Sequence, residues 1–138
     1  MQPTFNDRMR FHHVGCIVDN IEQAVIPYKA IFHFTNIGKP VRVEEQKVVI
    51  CFIEINNGVF LELIQPDDGN STLAKWKKKG IRYYHLGYSV DDLERLLGEL
   101  LRSGYFLVSD FHSEAFGMKR CVFVSNGEMD LMELIANT

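Results

Sequence analysis

His13-Val14-Gly15-Cys16-Ile17-Val18-Asp19-Asn20-Ile21-Glu22 returns later in the chain as His85-Leu86-Gly87-Tyr88-Ser89-Val90-Asp91-Asp92-Leu93-Glu94, with His, Gly, Val, Asp and Glu identical at a constant offset of 72. A second pair keeps nearly the same spacing: Glu62-Leu63-Ile64 recurs as Glu133-Leu134-Ile135, offset 71. One matched tripeptide arises by chance, whereas two matched segments of nearly equal period point to internal duplication. The chain therefore reads as two copies of a unit of about 70 residues, each opening on a histidine strand and closing on a glutamate strand.

Each copy carries the same order of local signals. Phe11 to Val18 is rich in β-formers, and Asp19 or Asn20 can cap a helix whose apolar face is Ile21, Ala24, Val25, Tyr28, Ile31 and Phe32. Pro27 inside that helix removes a backbone bond and should kink it or end its regular part early. Gly38-Lys39-Pro40 marks the exit. Val41 to Ile55 reads as one long strand or two joined ones, and Asn56-Asn57-Gly58 turns it into a returning strand, Val59 to Ile64. Pro66 to Gly80 connects the halves, with turn chemistry at Pro66-Asp67-Asp68-Gly69-Asn70 and a short helix capped by Ser71 or Thr72 and ended by Gly80. The second copy runs from strand Tyr83–Val90 into a helix starting at Asp92, with Leu93, Leu96, Leu97, Leu100 and Leu101 on one face. It continues through a strand near Phe106 to Ser109, a polar loop from Asp110 to Gly117, and strands Lys119–Val124 and Asp130–Ile135. The expected fold is α+β: one domain over residues 1–138, made of βαβββ units at 11–65 and 81–136 and a connector at 66–80. The two units form a cup-shaped mixed or antiparallel sheet with helices on its convex face.

Side chains alternate along a strand, so His13 shares a face with Gly15 and Ile17, and His85 with Gly87 and Ser89. The opposite parity, Val14, Cys16 and Val18 or Leu86, Tyr88 and Val90, is apolar and belongs under the helices. Glu62 lies between Leu61 and Leu63, and Glu133 between Met132 and Leu134. A carboxylate with apolar neighbours is costly to bury unless it is paired, protonated or bound to a metal. A lone strand histidine is usually structural, but duplication of both histidines and both glutamates favours a metal-ligand set of His13, Glu62, His85 and Glu133. Nitrogen and oxygen donors without thiolate suit a divalent ion such as Co, Ni, Zn, Mn or Fe. Six-coordination would leave two positions for water or substrate, the arrangement of a Lewis acid that polarises a carbonyl oxygen. His12 has the parity opposite to His13 and reads as structural; His33 and His112 have no counterpart in the other copy and receive no role.

Composition narrows the partners. With 46% hydrophobic and 24% charged residues among 138, the chain is an ordinary globular protein, and a net charge of -3 gives no electrostatic case for nucleic acid or an anionic membrane. Cys16, Cys51 and Cys121 are odd in number and far apart, which suggests neither a disulfide framework nor a zinc knuckle. The polar N-terminal stretch and the lack of a long apolar run lead to the expectation of a cytoplasmic protein without membrane contact.

His13-x-Gly-x-x-Val-Asp-Asn-Ile-Glu-Gln-Ala resembles the first strand and helix of the vicinal oxygen chelate superfamily (glyoxalase, bleomycin resistance and dioxygenase proteins), and the likeness spans nearly the whole chain. That resemblance implies paired βαβββ units around a metal, with His13, Glu62, His85 and Glu133 at the four ligand positions. Within the superfamily the likeness is strongest to the methylmalonyl-CoA epimerases, carried by Glu62-Leu63-Ile64-Gln65-Pro66, Ser71-Thr72-Leu73-Ala74-Lys75-Trp76, Lys77-Lys78-Lys79-Gly80 and Glu44-Glu45-Gln46. Tyr84 stands where the epimerases have the first His of a pair. Ser113-Glu114-Ala115-Phe116-Gly117-Met118-Lys119 replaces their glycine-rich loop, and the usual strand-end insertion shortens to Ser125-Asn126-Gly127.

The match puts Glu45 on a catalytic base. The resemblance then implies an enzyme that abstracts a proton α to a thioester or carbonyl through a metal-stabilised enediolate. Glu45 is one base, and Glu133, a ligand able to loosen, is the other or holds the acid proton. The resemblance implies a small-molecule substrate, with an acyl-CoA thioester as the candidate, and the family implies a homodimer. The basic run Lys75, Lys77, Lys78, Lys79 and Arg82 can meet CoA phosphates or simply form a solvated helix end. Two alternatives stay open: a glyoxalase I-like lactoylglutathione lyase, which uses the same ligand types, and a non-catalytic small-molecule (drug) binding protein of the same superfamily.

Overall fold

Both copies build the same strand-helix-strand-strand-strand unit in the computed structural model, which describes residues 8–128 and 131–137. In the first copy β1 (Met9–Ile17) leads through α1 (Ile21–Ala24) and α2 (Ile26–Ala30) to β2 (Val41–Val43), β3 (Val48–Asn56) and β4 (Val59–Pro66). After α3 (Ser71–Lys78), the second copy has β5 (Tyr83–Val90), α4 (Leu93–Arg102), β6 (Phe106–Ser113), a single 3-10 turn (Glu114–Phe116), β7 (Lys119–Ser125) and β8 (Leu131–Ala136). The eight strands form one mixed sheet in the order β2-β3-β4-β1-β5-β8-β7-β6, curled into a half-barrel. β1 runs parallel to β4, β5 parallel to β8, and β1 antiparallel to β5. The two histidine strands are therefore central neighbours, each flanked by the glutamate strand of its own copy.

The two faces of the sheet divide as the alternation requires. On the outer face, Val14, Cys16 and Val18 pack with Ile21, Ala24, Val25 and Tyr28 of the first helical segment, over Ile53, Leu61 and Leu63. Leu93, Leu96, Leu97 and Leu100 of α4 pack on Tyr88, Val90, Val122, Val124 and Leu134. Asp92 caps α4 by accepting from the Arg95 N–H at 3.2 Å. Burying Leu93 and Leu97 contributes about 1.5–3 kcal/mol each relative to exposure. The inner face carries a separate cluster that includes Ile17, Val43, Val48, Ile50, Ile64, Phe111 and Phe123. The connecting helix α3 lies against this inner cluster through Leu73 and Trp76.

Local departures from the sequence expectation have local causes. The single helix expected from Asn20 to Phe32 breaks at Val25, because Pro27 is tolerated only in the first turn of a new helix, and Ile31 and Phe32 end up 67% and 59% exposed. Asn70, not Ser71 or Thr72, caps α3, accepting from the Leu73 N–H. Residues 110–113, expected as loop, continue β6, because Asp110 sits opposite Val122 and its carboxylate pairs with Arg120 at 2.8 Å. Asp130, expected to open the last strand, lies outside the described residues.

Candidate metal centre

The duplicated His-x-Gly motif has a steric explanation. Gly15 of β1 sits opposite His85 of β5, and Gly87 sits opposite His13. A Cβ on Gly15 would lie 2.1 Å from Cε1 of His85, and one on Gly87 would lie 2.0 Å from Cε1 of His13. Each glycine thus makes room for the imidazole of the other copy. The two rings can therefore close over the β1–β5 pair.

Both rings reach the inner face, and both glutamates meet them there. His13, Glu62, His85 and Glu133 are all buried, between 0% and 4% exposed. The two Nε2 atoms are 2.9 Å apart. Glu133 Oε1 lies 3.0 Å from His13 Nε2 and 3.4 Å from His85 Nε2; Glu62 Oε1 lies 3.5 and 3.2 Å from the same atoms. Donors held about 2.1 Å from one ion stand about 3.0 Å apart at right angles and about 3.4 Å apart in a tetrahedron. The observed spacings fall in that range. Despite its short contacts, Glu133 Oε1 makes no hydrogen bond of acceptable geometry among the described residues. Four such atoms within 4.8 Å of one another fit a divalent cation.

The electrostatics follow from burial opposed by proximity. Burial alone would lower the proton affinity of His85, but the close approach and negative charge of the Glu133 and Glu62 carboxylates carry its pKa up to about 9. Burial would raise that of Glu133, but His13 and His85 bring it down to about 2. Burial also holds the Tyr84 phenol neutral, well above its ordinary range, helped by the same two carboxylates.

A cavity of about 250 Å³ opens onto this cluster. His85, Glu62 and Glu133 edge it, and its walls are mainly apolar, including Ile50, Trp76, Phe111, Phe116 and Leu131; Asn70, Thr72 and Ser109 add neutral polar groups. No lysine or arginine is among the described residues that line it. Glu45 also lines it, exposed at the rim in the turn between β2 and β3. That turn is tied down at several points: Asn70 Nδ2 donates to the Gln46 carbonyl at 3.0 Å, the Asp67 N–H to the Lys47 carbonyl at 3.0 Å, and the Glu44 N–H to Glu114 at 3.1 Å.

The profile of the Glyoxalase/Bleomycin resistance protein/Dioxygenase superfamily matches residues 12–123. The chain belongs to this superfamily. Its fold is shared with solved structures of low identity. A hypothetical protein from Bacillus halodurans C-125 superposes with a TM-score of 0.81 at 18% identity, covering 94% of this chain and 95% of that one. Methylmalonyl-CoA epimerase from Mycobacterium tuberculosis gives 0.79 at 19% identity, with coverage of 93% and 87%. A Streptomyces coelicolor methylmalonyl-CoA epimerase in complex with 2-nitronate-propionyl-CoA gives 0.79 at 22%, with 94% and 98%. A search of curated proteins returned no match. Identities this low establish the fold this superfamily member adopts, and the site must be argued from its own residues.

Two features of the site differ from the sequence reading. His12 does not take the parity opposite to His13, because β1 bulges between Phe11 and His13. An extra residue in a strand reverses the alternation, so His12 turns to the inner face. There it stacks on Phe60, with ring centroids 4.9 Å apart, and places its Nδ1 2.9 Å from Nδ1 of His13. The basic run is also less uniform than it reads: Lys77 and Arg82 pair with Asp19 at 3.0 and 3.3 Å. Among the described residues, no helix is long and apolar enough to cross a membrane.

Proposed function

We propose that this chain is a metal-dependent epimerase or isomerase that removes a proton α to a thioester or other carbonyl group, in the manner of methylmalonyl-CoA epimerase. One observation carries the reading: four buried donors of two types converge beside a mainly apolar cavity, and one of them, Glu133 Oε1, has no hydrogen bond among the described residues. A divalent ion held by His13, Glu62, His85 and Glu133 would supply a Lewis acid that polarises the carbonyl and stabilises charge developing on its oxygen.

The chain's own residues perform the rest. Glu45 at the rim accepts the α-proton, and the C–H electron pair moves into the carbonyl to give an enolate. Glu133, on the cavity floor, would take up a proton from water only once it loosens from the cluster, and pass it to the same carbon from the other side, while Glu45 returns the abstracted proton to solvent. General acid-base catalysis of this kind contributes about 10²- to 10⁴-fold per group. The apolar walls exclude water from the intermediate. Ligand pockets for whole drug-sized molecules run to about 300–1,000 Å³, so a space of about 250 Å³ takes the acyl end of a thioester and leaves its carrier outside. Phosphate contacts of a CoA carrier then fall to Lys75, Lys78 and Lys79, since Lys77 and Arg82 are engaged with Asp19.

A second reading, glyoxalase-like isomerisation of a glutathione hemithioacetal, is favoured by the lack of a lining lysine or arginine among the described residues, which suits an uncharged reacting group. The metal-loaded protein in heavy water separates the two readings. Deuterium entering the α-position of methylmalonyl-CoA supports the epimerase; turnover of methylglyoxal with glutathione and no thioester exchange supports the lyase. Neither activity from protein carrying a stoichiometric ion overturns both.

A further inference from the structure

The duplication puts His12 and Tyr84 in equivalent places, each just before a histidine of the cluster and each the extra residue of a bulge in the β1–β5 ladder. They do not do equivalent things. Nδ1 of His13 faces Nδ1 of His12 at 2.9 Å, whereas Nδ1 of His85 is buried with no hydrogen-bond partner among the described residues. Tyr84 instead stacks edge-on against the His85 ring, with centroids 4.5 Å apart, and leans on Trp76.

For Nε2 of His13 to offer its lone pair to an ion, the ring proton must sit on Nδ1, and a buried N–H needs an acceptor. The His12 nitrogen 2.9 Å away fills that need if His12 carries its own proton on Nε2. His12 is in turn held by aromatic contacts on several sides: Phe60 stacks on its ring, and Phe52 and Phe116 meet it edge-on at 5.6 and 5.5 Å. A ring packed this way cannot swing to offer its other nitrogen without leaving Phe60.

We propose that His12 is a positioning residue that locks His13 as an Nε2 donor, so that the first copy supplies the preorganised imidazole of the centre and the second copy supplies one without such an anchor. This rests on reading the four buried groups as a metal site. It adds a residue outside the ligand set whose role is orientation rather than contact with ion or substrate. Partners of this kind typically govern metal affinity by 10- to 100-fold.

The test is Co²⁺ affinity, measured by competition with a chromophoric chelator on the purified full chain. His12→Phe keeps an aromatic ring on Phe60 and deletes the acceptor; His12→Asn gives up the stack but places an amide oxygen near the lost Nδ1. The expected result is a 10- to 100-fold weaker affinity for His12→Phe and recovery to within about threefold of wild type for His12→Asn. Wild-type affinity in His12→Phe, or equal loss in both variants, overturns the proposal. If His12→Phe does not fold, long-range ¹⁵N–¹H correlation of the zinc-loaded wild type decides the matter. His12 protonated on Nε2 and His13 on Nδ1 supports the lock, and His12 protonated on Nδ1 refutes it. A wild-type chain that binds no divalent ion refutes the underlying metal reading instead, which keeps the two failures distinct.

Discussion

Replacing Gly15 with alanine drives a methyl carbon into the imidazole of His85. The added carbon would sit 2.1 Å from Cε1, 2.3 Å from Nδ1 and 2.8 Å from Nε2, where ordinary contact begins near 3.4 Å, so the ring must retreat by more than 1 Å. Gly15 is held opposite His85 by the β1–β5 pairing, immediately before the bulge at Tyr84, and the atoms in its way belong to the imidazole. Forcing a side chain out of a packed site costs about 1–3 kcal/mol, or roughly 4–12 °C in Tm at about 4 °C per kcal/mol for a domain of this size. The cost to metal binding is larger than the cost to folding, since a donor displaced by 1 Å leaves the coordination distance altogether. Thermal unfolding with and without Co²⁺ reads both effects. Wild type should gain Tm on adding the ion, whereas Gly15→Ala should start lower and gain little. Gly87→Ala, which meets His13 at 2.0 Å, should behave the same way. A Gly15→Ala protein that keeps the full metal-induced shift refutes the claim that the glycines exist to seat the opposing rings.

Three further outcomes follow from the same geometry. Glu45→Gln should bind metal like the wild type, because Glu45 stands at the rim outside the four-donor cluster, yet lose about 10²- to 10⁴-fold in α-proton exchange; retained exchange would remove Glu45 from the scheme. Metal affinity should climb with pH, close to tenfold per unit for each proton displaced, up to about pH 9, because an ion must displace the proton that Glu133 and Glu62 hold on His85; a chelator competition series at pH 6, 7 and 8 that shows no slope contradicts this. The metal-free protein should follow the opposite rule. The raised His85 pKa contributes stability that is complete below 6.5 and lost as pH rises through about 9, while the lowered Glu133 pKa contributes stability that is complete above 4.5 and lost as pH falls through about 2. Denaturant midpoints should therefore be highest between roughly pH 4.5 and 6.5, and a maximum above pH 8 would contradict the charge assignment.

The parts of the molecule that follow strict periodicity were legible in the sequence. The offset of 72 between His13 and His85 carries over to the antiparallel pairing of β1 with β5, and the apolar parity of Val14, Cys16 and Val18 carries over to their packing with the first helix. The residues the structure brings to one point are the four the duplication singles out. What escaped is what breaks the period. A bulge adds one residue to a strand and leaves no mark in a single sequence, so strict alternation puts His12 on the wrong face. Pro27 announced a break, but propensity alone does not say that Ile31 and Phe32 beyond it face solvent. The purpose of Gly15 and Gly87 was hidden for another reason: the rings they accommodate come from the other copy, and only the register of the β1–β5 pair reveals the close approach. The aromatic wall around His12 likewise joins Phe52 and Phe60 of the β3–β4 hairpin to Phe116 in the other copy.

The central claim is that His13, Glu62, His85 and Glu133 grip a single cation. Anomalous diffraction from crystals of the Co²⁺-loaded chain tests it most directly. One ion should lie about 2.1 Å from Nε2 of both histidines and from one oxygen of each glutamate. An ion bound elsewhere, or one that leaves either histidine or either glutamate beyond bonding distance, contradicts it.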